Sequence, residues 1–268
     1  MRHIELPSLM ATIFGDADGK KAKKALAAAR RTCRGRGKKA RKLYIDRNGS
    51  RKWSPIKERI TAILGHKCWY TEVELVGADL TIDHFRPKAD YWWLAFEETN
   101  FRVACWWSNS PKYNAERGHV GGKGDAFPLL HPGVRALCRR DLAVEKPIIL
   151  DPCNQHDCEL LAFQSDGRPV LHPAFAADSV AKERVDRSQI LLNLDHPDFN
   201  SKREQLYHQI ADDVATYEEL DEGSPSRIKI ADRMRARITD NASFSTAARF
   251  YLKLHRHLDW VEALLNGG

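Results

Sequence analysis

The sequence predicts an α+β fold that is mostly helical, with a small β unit near the middle of the chain. Three observations lead there: an Ala- and Lys-rich N-terminal stretch, short alternating aromatic-rich segments from Cys68 to about Lys112, and helical apolar spacing through the C-terminal part. At 268 residues the chain can bury the core of one large domain or two small ones.

Residues 1–19 form a lead-in. "KKAKKALAAARRTCRGRGKKARKLY" starts as an Ala-rich helix former and breaks at Gly35 and Gly37. "SPIKERITAILGHKCWY" predicts a second helix. Ser54 is its N-cap, Pro55 sits in the first turn, Ile56, Ile60, Ile63 and Leu64 share one face, and Gly65 ends it. "ADLTIDHF" then alternates like a strand, and "NFRVACWW" is either a second strand or its connection to a helix. "ERGHVGGKGDAFP" reads as loop. Its Gly118, Gly122 and Lys123 suggest a P-loop only superficially, because the spacing is one residue short and Gly124 replaces the magnesium-binding Ser or Thr.

"KPIILDPCNQHDCELLAF" predicts a strand and a turn, and the chain beyond is mainly helical. Leu206, Ile210, Val214, Tyr217 and Leu220 recur at helical spacing, "DEGSPS" is a break, and Tyr251, Leu254, Leu258, Val261 and Leu265 define one apolar helix seam. No internal repeat is visible. The expected division is a basic helical segment over 1–52, a central unit over 53–150 and a mainly helical region over 151–268.

The formal charge of +7 is a local feature. Lys20 to Lys42 holds 12 of the 43 Lys and Arg residues and no acid, leaving 31 basic against 36 acidic residues elsewhere. Such a run attracts phosphate backbones through counterion release. The alternatives are a solvated helix, a disordered arm or a dock for an acidic partner face, and Lys38, Lys39, Arg41 and Lys42 are the candidate contacts with nucleic acid or partner. No stretch approaches the ~20 apolar residues of a membrane span. The first residues lack the pattern of a signal peptide, so the expected compartment is the cytoplasm. Cys33, Cys68, Cys105, Cys138, Cys153 and Cys158 are too scattered for a disulfide scaffold, and none forms a CxxC pair.

Asp83 directly precedes His84, Asn100 follows 17 residues after Asp83, and Asn109 nine later. Singly, these residues are a turn cap, a partly buried histidine and two turn formers. Their order resembles the HNH nuclease motif. "KCWYTE", "IDHFRPKADYWWLAFEETNFRVACWWSNSPK", "FPLL" and "ILDPC" together resemble the HNH proteins of bacterial anti-phage defence, the Septu-type PtuB family and its retron-associated relatives, and "SQILLNLDHPDFNSKREQLYHQI" resembles the helical region that follows there. The resemblance covers most of residues 53–210. It implies a small ββα-metal (HNH) unit embedded between the N-terminal helical segment and the C-terminal helical region.

It also implies roles. His84 is the general base, Asp83 and Asn109 hold a divalent metal, Mg2+ or Mn2+, and Asn100 steadies the loop carrying the imidazole. These types suit phosphodiester hydrolysis: an imidazole near pKa 6.5 accepts a proton at neutral pH, and hard ions take carboxylate and amide oxygens. Arg86 and Lys112 are candidate phosphate contacts, with salt bridges as the alternative. The family often carries two zinc-binding CxxC pairs. Here Cys68 and Cys105 remain while Thr71 and Ser108 replace their partners, so structural zinc is expected to be absent. Cys153, His156 and Cys158 are an alternative zinc cluster, though three such residues on one turn are more often incidental. "YWWLAF" offers stacking aromatics, with core packing the better reading.

The implied function is a metal-dependent endonuclease acting on DNA or RNA, the effector subunit of an anti-phage defence system with a partner ATPase. No nucleotide-binding loop occurs in this chain. The alternative is a degenerate HNH scaffold that binds nucleic acid or the ATPase without cleaving, and a partner-free toxin-like nuclease is a third reading.

Overall fold

The computed structural model describes residues 1–75, 80–114 and 118–267. It is a mostly helical α+β arrangement with three two-stranded antiparallel sheets among these residues. One hydrophobic core runs from Met1 to Leu264, so the N-terminal, central and C-terminal regions share it.

Helix α1 (Leu6–Ile13) leads into α2 (Ala17–Arg34), whose N-cap Asp16 accepts a 2.7 Å bond from the Gly19 amide. Gly35 closes α2 and Gly37 opens α3 (Lys38–Leu64). From α3, Arg59 donates to the Ile13 carbonyl at 2.7 Å and pairs with Asp16, fastening all three helices. The basic run is therefore folded helix.

Ser54 does not start a helix. Pro55 lies inside α3, and the expected boundary between residues 52 and 53 falls within this helix. An interior proline costs roughly 3 kcal/mol. Ile45, Ile56 and Ile60, all buried on α3, each return about 1.5–3 kcal/mol, which outweighs it. Gly49 completes that face: a Cβ there would lie 2.0 Å from the Trp53 ring, so only glycine lets the indole pack across the helix.

Strand β1 (Leu80–His84) pairs with β2 (Phe101–Cys105) in a register running from Leu80 opposite Cys105 to His84 opposite Phe101. The short α4 (Trp106–Asn109) follows β2 without a gap. Between the strands, two single-turn 3-10 segments bury Tyr91, Leu94, Ala95 and Phe96 against the sheet. The aromatics of "YWWLAF" thus divide: Tyr91 and Phe96 are core, whereas Trp92 and Trp93 are half-buried. Ala78 and Asp79 of the expected first strand lie outside the described residues.

Strands β3 (Lys112–Asn114) and β4 (His119–Gly121) form a hairpin in part of the stretch expected to be loop, whose Glu116 and Arg117 are also outside the described residues. Within "KPIILDPCNQHDCELLAF", where a strand and a turn are expected, Pro147 makes a single bridge to Leu129, and the strand lies at the end of the stretch, over Leu161–Phe163. Helix α5 (Gln155–Glu159) precedes a small sheet of β5 (Leu161–Phe163) and β6 (Pro169–Leu171).

The C-terminal region comprises α6 (Ser179–Leu192), α7 (Pro197–Glu219), α8 (Pro225–Ile238), α9 (Ser245–Lys253) and α10 (Asp259–Asn266). Asp178 caps α6 with 2.9 Å bonds from the Val180 and Ala181 amides. Asn193, in the left-handed region at its other end, donates 2.7 Å to the Trp107 carbonyl and ties α6 to α4. "DEGSPS" is a break, with Ser224 capping α8. The seam from Tyr251 to Leu265 is not one helix: the chain turns between α9 and α10, leaving Leu254 54% exposed while Tyr251 and Val261 stay in the core. No helix among the described residues is long and apolar enough to cross a membrane.

Candidate active site

The C-terminal end of β1 carries Asp83 and His84, and both side chains are buried. Buried charges require partners. Asp83 has two: the Tyr70 hydroxyl donates to Oδ2 at 2.7 Å and the Lys123 ammonium to Oδ1 at 2.8 Å. Burial and the neighbouring Asp83 raise the Tyr70 phenol well above its ordinary range, so it remains a donor. Lys123, itself 1% exposed, also donates to the His84 carbonyl at 2.7 Å. Its backbone is set by Gly122 and Gly124, both at positive φ. A Cβ on Gly122 would meet the Ser110 carbonyl at 1.9 Å. The loop docks on the end of α4 through bonds from the Lys123 and Gly124 amides to the Ser108 and Asn109 carbonyls, each 2.8 Å.

His84 lies among aromatic edges, with Trp53 at 4.7 Å and Phe101 at 5.3 Å between ring centroids. Its Nε2 is 2.9 Å from the Ala95 carbonyl. A carbonyl only accepts, so Nε2 carries the proton and Nδ1 keeps the lone pair. Burial drives the imidazole down to about 4, against the opposing pull of the Ala95 carbonyl and Asp83, which leaves the ring neutral at physiological pH.

Asn100 and Asn109 have different work. The Asn100 amide accepts from the Arg86 backbone N–H at 2.8 Å and donates to the Arg86 carbonyl at 2.9 Å, clamping the turn that follows His84. Asn109, at the end of α4, donates from Nδ2 to Thr81 Oγ1 at 2.8 Å. The Thr81 hydroxyl in turn donates to the Ala104 carbonyl at 3.3 Å, which leaves its oxygen to accept from Asn109 and fixes the amide orientation. Asp83, His84 and Asn109 line one cleft of about 360 Å3, together with Lys88 and Asp125. The carboxylate and amide supply hard oxygen donors there, and each Asp83 oxygen retains acceptor capacity beyond its one bond. Among the described residues, no three His, Cys, Asp or Glu side chains converge as a metal cluster.

Arg86 does not line this cleft. Glu145, whose side chain is fully buried, needs a counter-charge, and Arg86 supplies it at 2.5 Å while Tyr91 donates to the other oxygen at 2.5 Å. Of the two roles considered for Arg86, the structure places it in the salt bridge. Lys112 is exposed and lies over Trp106 and Trp107, 4.5 and 4.6 Å from their ring centroids, also outside the cleft. Lys38, Lys39, Arg41 and Lys42 line a second, neighbouring groove.

The two cysteine-bearing segments converge as well. Cys105 Sγ is 3.3 Å from Ser108 Oγ and 3.9 Å from Thr71 Oγ1, and Cys68 Sγ is 3.8 Å from Ser108 Oγ, all four residues being buried. A hydrogen bond with Cys68 and burial hold the Cys105 thiol well above its ordinary range. Two sulfurs with two hydroxyls do not make the thiolate- and imidazole-rich ligand set of a structural zinc site. Elsewhere, His156 turns its ring against Phe175 and Cys158 points its thiol at the Pro152 carbonyl.

Tyr70, Lys123, Lys88 and Asp125 were not among the site residues expected from sequence. Only Lys123 carried a signal, its place between two glycines.

No family model matches the chain. A curated relative, the Septu protein PtuB of Bacillus mycoides strain KBAB4, is 26% identical over 126 residues, which cover 42% of this chain and 39% of that protein. The chain is thus distantly related to a Septu protein, and the match spans well under half of either partner.

Proposed function

We propose that the protein is a metal-dependent nuclease of the HNH type that hydrolyses phosphodiester bonds of DNA or RNA, working as the effector of a bacterial anti-phage defence system alongside a partner ATPase. The observation that carries this reading is the convergence of Asp83, His84 and Asn109 on one cleft, with His84 oriented through Nε2 so that Nδ1 is its basic atom. The distant Septu relationship supports the defence setting and the partner.

In this reading Nδ1 of His84 takes a proton from the water that attacks phosphorus, and the bond to the leaving oxygen breaks. Asp83 and Asn109 would hold Mg2+ or Mn2+, which supplies charge neutralisation at the phosphate and leaving oxygen. Tyr70 and Lys123 orient Asp83, and Asn100 fixes the turn behind the imidazole. Incubating the protein, alone and with a Septu-type partner ATPase, with labelled DNA and RNA should give cleavage that requires Mg2+ or Mn2+ and stops with chelator. Absence of cleavage in every combination would sink the reading.

Lys123 motivates a second reading. Its ammonium offsets the charge of Asp83, as suits a scaffold that binds without cutting. In that case no metal raises activity, while nucleic acid or the ATPase still binds.

The zinc expectation continues as part of the proposal. Elemental analysis of protein purified without chelator should find far less than one zinc per chain. One tightly held zinc that disappears in Cys68→Ser would contradict it.

A further inference from the structure

The groove beside the candidate active site has its own chemistry. It encloses about 830 Å3, and its lining includes Lys38, Lys39, Arg41, Lys42, Lys88 and Arg135. Three carboxylates share it, Asp46, Asp90 and Asp125. Two of these are committed: Asp46 pairs with Lys42 at 2.7 Å and Asp90 with Arg135 at 3.2 Å. Lys38, Lys39 and Lys88 have no ion-pair partner among the described residues, so the groove keeps an uncompensated positive charge.

This groove is continuous with the Asp83–His84–Asn109 cleft, because Lys88 and Asp125 line both. It is also rigid. Arg41 donates to the Cys33 and Arg36 carbonyls at 3.1 and 2.7 Å, and its guanidinium lies 3.4 Å from the Trp92 ring centroid. Arg30 on α2 pairs with Glu97 at 2.5 Å, locking the basic helices onto the segment between β1 and β2. The basic run is therefore not one uniform arm. Its last four cations face the groove, whereas Lys20, Lys21, Lys23 and Lys24 are exposed and line neither cavity.

We propose that the groove formed by Lys38, Lys39, Lys42 and Lys88 holds the phosphate backbone of the nucleic-acid substrate next to the scissile bond and delivers that bond to the Asp83–His84–Asn109 cleft. The inference rests on the nuclease reading for the identity of the substrate. A dense, preformed row of cations binds a polyanion by releasing its counterions, and it does so without reading bases. An acidic protein face is the competing occupant, but it does not explain why the cations run into the cleft that holds the reacting groups.

The test compares two full-length variants, Lys38→Gln/Lys39→Gln/Lys42→Gln and Lys20→Gln/Lys21→Gln/Lys23→Gln/Lys24→Gln. Binding of a labelled 30-nucleotide strand and of its duplex is titrated at several salt concentrations in a His84→Ala background. Each lost phosphate contact lowers the salt slope by about 0.7–0.9, so the groove variant should lose about 2 units of slope and bind at least ~10-fold more weakly. The N-terminal variant should stay near the parent. Equal loss in both variants, or no loss in the groove variant, overturns the proposal, as does loss of ATPase co-purification with nucleic-acid binding unchanged. Turnover of bis(p-nitrophenyl) phosphate, a diester too small to need the groove, separates this from the chemistry. With His84 intact, the groove variant should hydrolyse it at the parental rate while its KM for nucleic acid rises. If instead the parent cleaves neither DNA nor RNA in any combination while the groove variant still loses binding, the nuclease reading fails and the groove stands as a nucleic-acid site.

Discussion

Replacing His84 with alanine should reduce cleavage by ~10²–10⁴-fold while the protein remains folded and still binds nucleic acid. Nδ1 is the only basic nitrogen that the ring offers, since Nε2 is spent on the Ala95 carbonyl. Removing the ring deletes the proton acceptor and leaves Asp83, Lys123 and Asn109 in place, so substrate affinity should survive the loss of rate. The vacated space beside Trp53 and Phe101 will cost some stability, because cavities in packed interiors do not close fully. Thermal melting of the variant therefore accompanies the assay. His84→Asn, which keeps a donor toward Ala95, separates positioning from proton transfer: it should melt nearer the parent yet remain inactive. Parental cleavage by the alanine variant with Mg2+ or Mn2+ present would rule out His84 as the base.

What could be read from sequence was local. Asp83 and His84 end an alternating run that short-range pattern marks as β1, whereas "NFRVACWW" reads equally as a strand or a connection, and only its pairing with β1 makes it β2. Lys123 was legible only as a glycine-flanked lysine at the wrong spacing for a phosphate loop. Its partner lies 40 residues earlier, and nothing in a linear pattern announces that a lysine will be buried against an aspartate. Arg86 was ambiguous for the same reason, its fate being decided by Glu145, 59 residues away. Capping and proline preferences, worth a few kcal/mol, point to a helix start at Ser54, and the long buried face of α3 outweighs them. In the C-terminal seam, helical spacing continues across the His255–Arg256–His257 turn, where the chain turns and both Tyr251 and Val261 stay in the core.

The largest stability effect is expected at Arg102. This β2 residue, 4% exposed, spends nearly every donor it has: Nε and Nη2 bind the two oxygens of Asp151 at 2.7 Å each, and Nη1 reaches the Thr99 and Phe101 carbonyls at 3.0 and 2.8 Å. Asp151 also accepts the Cys153 amide, its own amide donates to Asp157, and Asp157 in turn takes a two-pronged bond from Arg184 on α6. Arg102 is thus the central-sheet end of a polar chain reaching the C-terminal helices. Removing one member of a buried pair costs about 3–5 kcal/mol, because the survivor keeps its desolvation penalty without its counter-charge. Arg102→Ala should lose that much in urea unfolding, and in a chain of this size the melting temperature should fall by roughly 6–20 °C. Replacing both partners, as Arg102→Leu with Asp151→Leu, removes the unpaired charge and should recover a good part of the loss, although the Cys153 amide then forfeits its acceptor. A single-variant cost under about 1 kcal/mol, or a double variant weaker than the sum of the two singles, would mean that the pair is not what joins β2 to the α6 side of the core.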